Sequence, residues 1–263
     1  MPHSFFATST DPLGLRGRVA VVTGGSQGIG RAIAVGLASF GCRIVVAARR
    51  ADPLRDAVDE INGAGGEAVG VQCDLRVAAD ADTLAARAGQ CFGGIDILVN
   101  NVGGSFGTDF RRGPLLELTE DDVLNALHAN VVTTFSCSRA AVPLLREGGG
   151  SIVNISSVVV RTPMPGFGAY SAAKAAVVNL TQTMAIEWAP QVRVNALLVG
   201  HVDTERTRGA RSDEDVRWLE RHISQGRLGR PGDIAGAVAY LGSPLASWVT
   251  GAAIPVDGGM RAI

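Results

Sequence analysis

The chain has 263 residues, 46% of them hydrophobic, and a formal net charge of −1. This length suits one α/β domain, and the apolar content can bury a large core, so a mainly disordered chain is excluded. A near-neutral charge without a long basic run gives no electrostatic footprint for nucleic acid, and we expect no nucleic-acid partner.

Cysteine and histidine spacing argues against a disulfide framework or a metal site. Neither residue type recurs at metal-ligand spacing, and the cysteines read as small apolar residues of a reducing compartment. No apolar run approaches the roughly 20 residues that span a bilayer, and the first twelve residues lack a signal-peptide pattern. The sequence therefore predicts a cytoplasmic protein with no metal and no membrane partner. The cysteines are Cys42, Cys73, Cys91 and Cys137.

Short β-branched runs alternate with longer amphipathic stretches along the chain. The predicted strands cover residues 19–22, 44–46, 68–71, 95–99, 152–155, 192–195 and 253–256. The predicted helices lie near 28–40, 52–64, 77–92, 119–146, 168–188 and 231–242. This alternation predicts a single-domain Rossmann fold, a doubly wound, mostly parallel seven-stranded sheet with helices on both faces.

The sequence supports three further local predictions. Residues 1–15 are expected to form a flexible N-terminal arm before a catalytic domain over 16–263. Residues 201–226 form a charged, arginine-rich insertion, expected to be a lid over the strand ends. Asp52 is expected to cap the second helix, because Pro53 suits its first position.

A glycine-rich turn follows the first predicted strand and leads into the first helix. It reads Thr23-Gly24-Gly25-Ser26-Gln27-Gly28-Ile29-Gly30. Glycines permit a tight turn and close approach of a pyrophosphate to the backbone, beside the positive end of the helix dipole. Alone, such a turn could be a plain strand-to-helix connection.

A tyrosine, a lysine and a serine form the second informative group. Tyr170 and Lys174 are one helical turn apart, and Ser157 lies thirteen residues before the tyrosine. A tyrosine can move a proton onto a carbonyl oxygen, although free tyrosine titrates near pH 10. We expect the Lys174 charge to lower the pKa of Tyr170 toward working pH.

Together these motifs resemble the short-chain dehydrogenase/reductase family. The Thr-Gly-x-x-x-Gly-x-Gly spacing is similar to that family's cofactor turn, and the similarity covers about residues 16–260 through Asn100-Asn101-Val102-Gly103 and Val256-Asp257-Gly258-Gly259. The resemblance implies hydride transfer between a secondary alcohol and a ketone, with Tyr170 as general acid/base.

The resemblance also implies a role for each matching residue. Ser157 would hydrogen-bond the substrate oxygen, Asn130 would hold a water relay, and Lys174 would also hold the nicotinamide ribose. Asn100 resembles the residue that ties the central strands together, and Asp74 resembles an adenine contact. The implied catalytic residues are Asn130, Ser157, Tyr170 and Lys174. The implied cofactor-binding residues are Gly24, Ser26, Gln27, Gly28, Ile29, Arg49, Arg50, Asp74, Leu75, Asn101, Tyr170, Lys174, Gly200, Val202 and Thr204.

The end of the second strand predicts which nicotinamide cofactor is used. An acidic residue there would accept the ribose hydroxyls of NAD, whereas Arg suits the 2′-phosphate of NADP. Ala48 occupies the acidic position, and Arg49 and Arg50 follow it. We expect NADP(H), with NAD(H) as the alternative.

The substrate is expected between the 157–170 segment and the lid. An aromatic or alicyclic alcohol or ketone would suit its apolar lining. Arginines of the lid could instead bind an anionic substrate, but interspersed acids favour a solvated mixed-charge helix, and His201 is expected to have no substrate role. The apolar candidates are Phe106, Val159, Met164, Pro165, Phe167 and Trp218. The lid arginines are Arg206, Arg208 and Arg211.

Two other functions remain as alternatives. One is a 3-oxoacyl-[acyl-carrier-protein] reductase, and the other is a non-catalytic NADP-binding regulatory or scaffold protein. The resemblance further implies a homotetramer assembled through about residues 119–146, 168–188 and 245–260.

Overall fold

The structure is a computed structural model that describes residues 11–104, 111–146, 149–209 and 211–260. Seven strands form one sheet in the order β3-β2-β1-β4-β5-β6-β7, and every neighbouring pair is parallel. The strands are β1 Val19–Thr23, β2 Arg43–Ala48, β3 Glu67–Gln72, β4 Ile97–Asn100, β5 Gly150–Ser157, β6 Val192–Val199 and β7 Ala253–Val256. The predicted fold class is confirmed.

Helices cover both faces of the sheet. The α-helices are α1 Gly28–Ser39, α2 Ala51–Gly63, α3 Ala78–Phe92, α4 Glu120–Leu127, α5 Thr133–Arg146, α6 Gly168–Glu187, α7 Glu205–Arg208, α8 Asp213–His222 and α9 Pro231–Gly242. In β1, Ala20 and Val22 pack into the core beneath α1 and α9, whereas Val21 packs into the core beneath α3 and α5. A strand buried on both faces must be apolar at successive positions, which explains the unbroken apolar runs.

The chain reverses its winding direction between β1 and β4, which are neighbours in the sheet. In open parallel sheets, ligands bind in the crevice at the carboxyl ends of the strands on either side of this point. The topology therefore places the turn after β1 and the ends of β4 and β5 around one crevice. Within the described residues, no helix combines the length and apolar character needed to cross a bilayer.

Three local predictions need correction. Asp52 is not the N-cap of α2: Arg50 holds that position, and Asp52 lies in the first turn and pairs with Arg55 at 3.0 Å. Pro53 is tolerated there because the first-turn N–H groups have no partner within the helix. The segment predicted as one helix over 119–146 contains a π-helical segment, His128–Val132, between α4 and α5.

Residues 11–15, predicted to belong to a flexible N-terminal arm, are packed against the domain. Leu15 is fully buried in the core, and the Asp11 carboxylate accepts the backbone N–H groups of Leu15 and Arg16 at 3.1 and 3.0 Å. These contacts fix residues 11–15 against the domain. Residues 1–10 lie outside the described residues.

Candidate active site

The glycine-rich turn after β1 leaves the start of α1 open to a ligand. Gly24 and Gly28 have φ values of +63° and +53°, a left-handed conformation that glycine adopts without strain. Gln27 occupies the N-cap position of α1, and its side chain makes no capping hydrogen bond. The first N–H groups of α1 therefore keep the donor capacity and positive dipole end that suit a pyrophosphate.

Asn101 holds this turn against the end of β4. Its backbone N–H donates to Thr23 Oγ1 at 2.9 Å, and its side-chain amide donates to the carbonyls of Thr23 and Gly24 at 3.0 and 3.2 Å. A Cβ at Gly30 would lie 2.2 Å from the Gly24 carbonyl oxygen and 2.5 Å from Asn101 Nδ2. The turn is thus packed too closely for any residue but glycine at position 30.

A buried polar network supports the crevice from below. Asn100 donates to Ser138 Oγ at 2.9 Å and to Asn154 Oδ1 at 2.8 Å, and Asn154 donates to Thr181 at 2.9 Å. These bonds join β4 and β5 to α5 and α6, so Asn100 ties the central strands as predicted. Sequence reasoning missed Ser138, Asn154 and Thr181, which lie within otherwise ordinary strand and helix patterns.

Ser157, Tyr170 and Lys174 converge at the carboxyl end of β5. Ser157 is the last residue of β5 and hydrogen-bonds the Tyr170 hydroxyl. The Lys174 ammonium lies 5.8 Å from the centroid of the Tyr170 ring and donates to the Ile155 carbonyl at 2.8 Å. The structure therefore brings together the three residues that the sequence motif predicted.

The electrostatics of this group differ from the expectation. Burial raises the pKa of Tyr170 to about 12, and the Ser157 hydrogen bond and the Arg206 charge only partly oppose it. Burial also lowers the pKa of Lys174 to about 8. The predicted lowering of the Tyr170 pKa by Lys174 is therefore wrong for this structure, because the cost of burying a phenolate is larger than the stabilisation it receives.

Asn130 lies behind this group, in the π-helical segment. Its Oδ1 accepts the Gly104 backbone N–H at 3.1 Å, and its amide donates to the Ala126 carbonyl at 2.9 Å. A Cβ at Gly103 would lie 2.4 Å from Asn130 Oδ1 and 3.4 Å from Lys174 Nζ, so these side chains are close neighbours. Asn130 does not line the cavity, and its role in a water relay stays a prediction.

The end of β2 carries the residues expected to select the cofactor. Arg50 hydrogen-bonds the Gln27 side chain across the glycine-rich turn. The Asp74 carboxylate pairs with Arg76 at 2.7 Å, and this contact lowers the pKa of Asp74. Sequence reasoning missed Arg76, although its position two residues after the aspartate permits the pair.

The opposite side of the crevice is formed by α6, the preceding loop and the 201–226 lid. Four predicted apolar substrate contacts, Val159, Met164, Phe167 and Trp218, line the cavity. Pro165 does not, and Phe106 lies outside the described residues.

Sequence reasoning gave Arg112 no role. Its guanidinium stacks 4.7 Å above the Phe167 ring, which meets the Tyr170 ring edge-on at 6.4 Å. Because Arg112 lies far from these aromatic residues along the chain, no local sequence pattern indicated this contact.

One cavity of about 1340 Å³ connects all these parts. It reaches from the glycine-rich turn, past the Ser157–Tyr170 pair, to the lid. Ser157 and every predicted cofactor-binding residue line it. The latter are Gly24, Ser26, Gln27, Gly28, Ile29, Arg49, Arg50, Asp74, Leu75, Asn101, Tyr170, Lys174, Gly200, Val202 and Thr204. Their individual contacts with a cofactor stay predictions.

The fold and this cavity define a dinucleotide-dependent oxidoreductase of the Rossmann type. A family model described as enoyl-(acyl carrier protein) reductase matches residues 24–261. The chain is 38% identical to dehydrogenase/reductase SDR family member 4 of Homo sapiens, over 96% of this chain and 90% of that protein. It is 37% identical to a 3-oxoacyl-[acyl-carrier-protein] reductase of Synechocystis, over 94% of this chain and 98% of that protein.

A solved structure shows the same fold across nearly the whole length. The chain superposes on a 7α-hydroxysteroid dehydrogenase, complexed with NADH and 7-oxo glycochenodeoxycholic acid, with a TM-score of 0.91. The two are 33% identical, and the match covers 98% of this chain and 99% of the other. The chain belongs to the short-chain dehydrogenase/reductase family, oxidoreductases of CH–OH and C=O groups that use a nicotinamide cofactor.

Proposed function

We propose that this protein reduces a ketone to a secondary alcohol with NADPH, with Tyr170 as the general acid. The observation that carries the proposal is the single cavity in which the glycine-rich turn and the Ser157–Tyr170–Lys174 group lie together. Bound NADPH would supply the hydride, and the chain's own residues would orient the ketone and protonate it.

The proton-transfer step follows from the state of the Tyr170 hydroxyl. A pKa near 12 keeps the phenol protonated at neutral pH, so it can donate a proton as negative charge develops on the substrate oxygen. Ser157 would hydrogen-bond the same oxygen. Lys174, carrying a positive charge below about pH 8, would stabilise the phenolate left after proton transfer. A protonated Tyr170 is the form that the reduction step requires.

NADP(H) is the proposed cofactor because basic residues lie where an acidic one would select NAD. Ala48 ends β2 without a carboxylate, and both Arg49 and Arg50 line the cavity beside it. The cavity of the described residues carries seven Arg or Lys and three Asp or Glu side chains, although the whole chain is at −1. This concentration of positive charge suits a cofactor with an additional phosphate. NAD(H), present in the 7α-hydroxysteroid dehydrogenase structure, is the alternative.

NADPH oxidation measured by absorbance, with ketones, quinones and acetoacetyl thioesters as substrates, tests the function. We expect turnover of a ketone, and we expect Tyr170→Phe to lower kcat by about 10²–10⁴-fold, the usual contribution of a general acid. The variant should still bind NADPH. Near-normal turnover by Tyr170→Phe would refute the mechanism, and tight NADPH binding without turnover of any substrate would favour a non-catalytic binding protein.

A 3-oxoacyl-[acyl-carrier-protein] reductase is the second candidate. The Synechocystis relative carries this activity in its name, and Arg206 and Arg211 of the lid line the cavity. A kcat/KM for acetoacetyl thioesters far above that for free ketones would support this candidate over a small-ketone reductase.

The proposed assembly is a homotetramer. Six large apolar side chains on the predicted contact segments are exposed among the described residues of the single chain: Val123 and Leu124 on α4, Val132 in the π-helical segment, Phe135 on α5, Ile186 on α6 and Trp248 after α9. Burying them against other copies would release apolar surface from water. Light scattering gives the mass in solution, and a monomer would contradict this proposal.

The cytoplasm is the proposed compartment, supported by four unpaired cysteines.

A further inference from the structure

The lid arginines divide into two kinds in the structure. Arg208 is exposed, pairs with Asp203 at 2.9 Å and does not line the cavity. Arg211 is half-buried and lines the cavity together with Trp218 and Tyr170. The mixed-charge interpretation therefore fits Arg208 but leaves the position of Arg211 unexplained.

Arg211 contacts His201 in a way that fixes the protonation of the imidazole. Arg211 Nη2 lies 3.3 Å from His201 Nδ1. A guanidinium can only donate, so Nδ1 is the acceptor and the neutral ring carries its proton on Nε2. Burial, assisted by the Arg211 charge, lowers the pKa of His201 to about 4, so the ring is neutral at physiological pH.

Within the described part of the chain, this contact leaves one buried donor unpaired on each of the two side chains. Among the described residues, neither Arg211 Nη1 nor His201 Nε2 has a hydrogen-bond partner. A buried donor without an acceptor is costly, and two on adjoining side chains of a ligand cavity point to a ligand with acceptor oxygens. A guanidinium matches the two oxygens of a carboxylate especially well.

Nearby acids do not neutralise Arg211 through an ion pair. Asp215 also lines the cavity, but its Oδ2 accepts the N–H and hydroxyl of Ser212 at 3.0 and 2.7 Å, as part of the cap of α8. Across the described residues, no Asp or Glu oxygen lies within ion-pair distance of Arg211. Asp203 and Asp215 attract the Arg211 guanidinium through space, but neither pairs with it directly, so its unpaired N–H group can donate to a ligand.

We propose that Arg211 and His201 form a binding site for a carboxylate carried by the ketone substrate. This inference rests on the proposed ketone reduction and specifies the class of ketone. The carboxylate binds to the lid, and the carbonyl of the same molecule reaches Ser157 and Tyr170 through the shared cavity.

Matched acids and esters test this site. The probes are para-acetylbenzoate and para-acetylphenylpropionate, which differ in carboxylate reach, each with its methyl ester. Calorimetry in the presence of NADP⁺ gives their dissociation constants. We expect at least one acid to bind wild-type protein about tenfold or more tightly than its ester, the size of a charge-assisted hydrogen bond.

Substitutions assign the preference to Arg211. Arg211→Met should abolish the acid preference, and Arg211→Lys should retain part of it, because lysine keeps the charge without the two-donor geometry. His201→Gln should weaken it. The matched control Arg208→Met removes a lid arginine outside the cavity and should leave the preference unchanged. Thermal melting and NADPH binding verify that each variant is folded.

Two results would overturn the carboxylate site: equal wild-type affinity for both acids and their esters, or equal loss of preference in Arg211→Met and Arg208→Met. The proposed function fails separately, if NADPH binds but no ketone of the substrate screen, these acids and esters included, is reduced. Binding of the acids would still decide the carboxylate site in that case.

Discussion

The two halves of the cavity are built differently. The cofactor half is formed by the glycine-rich turn and strand ends, where Asn101 makes three hydrogen bonds to the turn and Gly30 leaves no space for a Cβ. The lid half includes two helices, α7 and α8, and exposed side-chain contacts such as the ion pair between Arg208 of α7 and Asp203, which precedes that helix. Backbone packing fixes the cofactor half, whereas exchangeable side chains define the lid half.

Because the two halves are built differently, we expect substitutions in them to affect different properties of the protein. A dinucleotide requires a fixed backbone cradle, so substitutions there should affect every substrate equally. The two ends of the lid are held by backbone bridges, Val202 with Gly229 and Ile223 with Met260. Between these ends, the side chains of α7 and α8 can change without disturbing the sheet, so substitutions there should change which substrate is accepted. Four experiments can break or sharpen this comparison.

The largest effect is expected from Gly30→Ala. The added methyl group would overlap the Gly24 carbonyl oxygen at 2.2 Å, so the turn must move. Because displacements of about 1 Å can cost on the order of 100-fold in function, we expect NADPH affinity to fall by at least that factor in a fluorescence titration.

Gly236→Ala is the matched control for Gly30→Ala. A Cβ at this exposed position in α9 would contact nothing within 4 Å. Alanine is the better helix former, so this variant should bind NADPH normally and gain about 0.5–1 kcal/mol in unfolding free energy. Normal NADPH binding by Gly30→Ala would show that the glycine-rich turn tolerates the added methyl group, so backbone packing does not fix the cofactor half.

Ala48→Asp should change the choice of cofactor. A carboxylate at the end of β2 would repel a 2′-phosphate and could accept the ribose hydroxyls of NAD. We expect the ratio of kcat/KM for NADPH to that for NADH to fall by about 10–100-fold, because opposing like charges costs several kcal/mol.

The matched control for Ala48→Asp is Asp52→Asn. Asp52 is exposed on α2 and pairs with Arg55 rather than lining the cavity. This variant should keep the wild-type cofactor ratio. Equal wild-type use of both cofactors would remove the proposed NADP(H) preference altogether.

The pH dependence of ketone reduction should follow the titration of Lys174 rather than that of Tyr170. Burial lowers the pKa of Lys174 to about 8, so its positive charge is present below that pH and lost above it, while Tyr170 stays protonated up to about 12. We expect ketone reduction to be constant between about pH 6 and 7, to reach half of that rate near pH 8 and then to fall about tenfold per pH unit.

Lys174→Met should be slower and should lose this alkaline decline. A cofactor-binding measurement across the same range separates weaker NADPH binding from slower chemistry. An unchanged alkaline decline in Lys174→Met would assign it to another group.

The smallest effect is expected from Arg208→Met. The Arg208–Asp203 pair lies on the surface, where solvent and salt screen the attraction. Melting temperature and NADPH affinity should match those of the wild type. A marked loss of cofactor affinity would show that the lid and the cofactor half are coupled, contrary to the comparison above.

The sequence predicted most of the fold and the centre of the site, for identifiable reasons. Apolar runs indicate strands buried on both faces of a parallel sheet, and the glycine spacing indicates the backbone conformation of the turn. Each pattern involves residues that are close together along the chain, so a single sequence is enough to detect it. The same reasoning assigned the N-cap of α2 to Asp52, whereas Arg50 holds that position without a side-chain capping hydrogen bond, so residue preference alone did not set that boundary.

The electrostatics could not be predicted in this way. The sequence places Lys174 one turn from Tyr170, but only the folded chain shows that burial dominates the pKa values of both groups. Asn130, in the π-helical segment, likewise accepts a hydrogen bond from Gly104, which is distant along the chain. Both features arise from contacts between segments that carry no shared local pattern.

The sequence alone predicted the Rossmann fold, and the resemblance of its motifs predicted the oxidoreductase class, because periodicity and motif spacing are properties of the chain itself. Only the tertiary structure distinguished Arg211 from Arg208 and paired it with His201. Both arginines lie in the same charged stretch, and burial and neighbours across space decide which one faces a ligand and which one faces solvent.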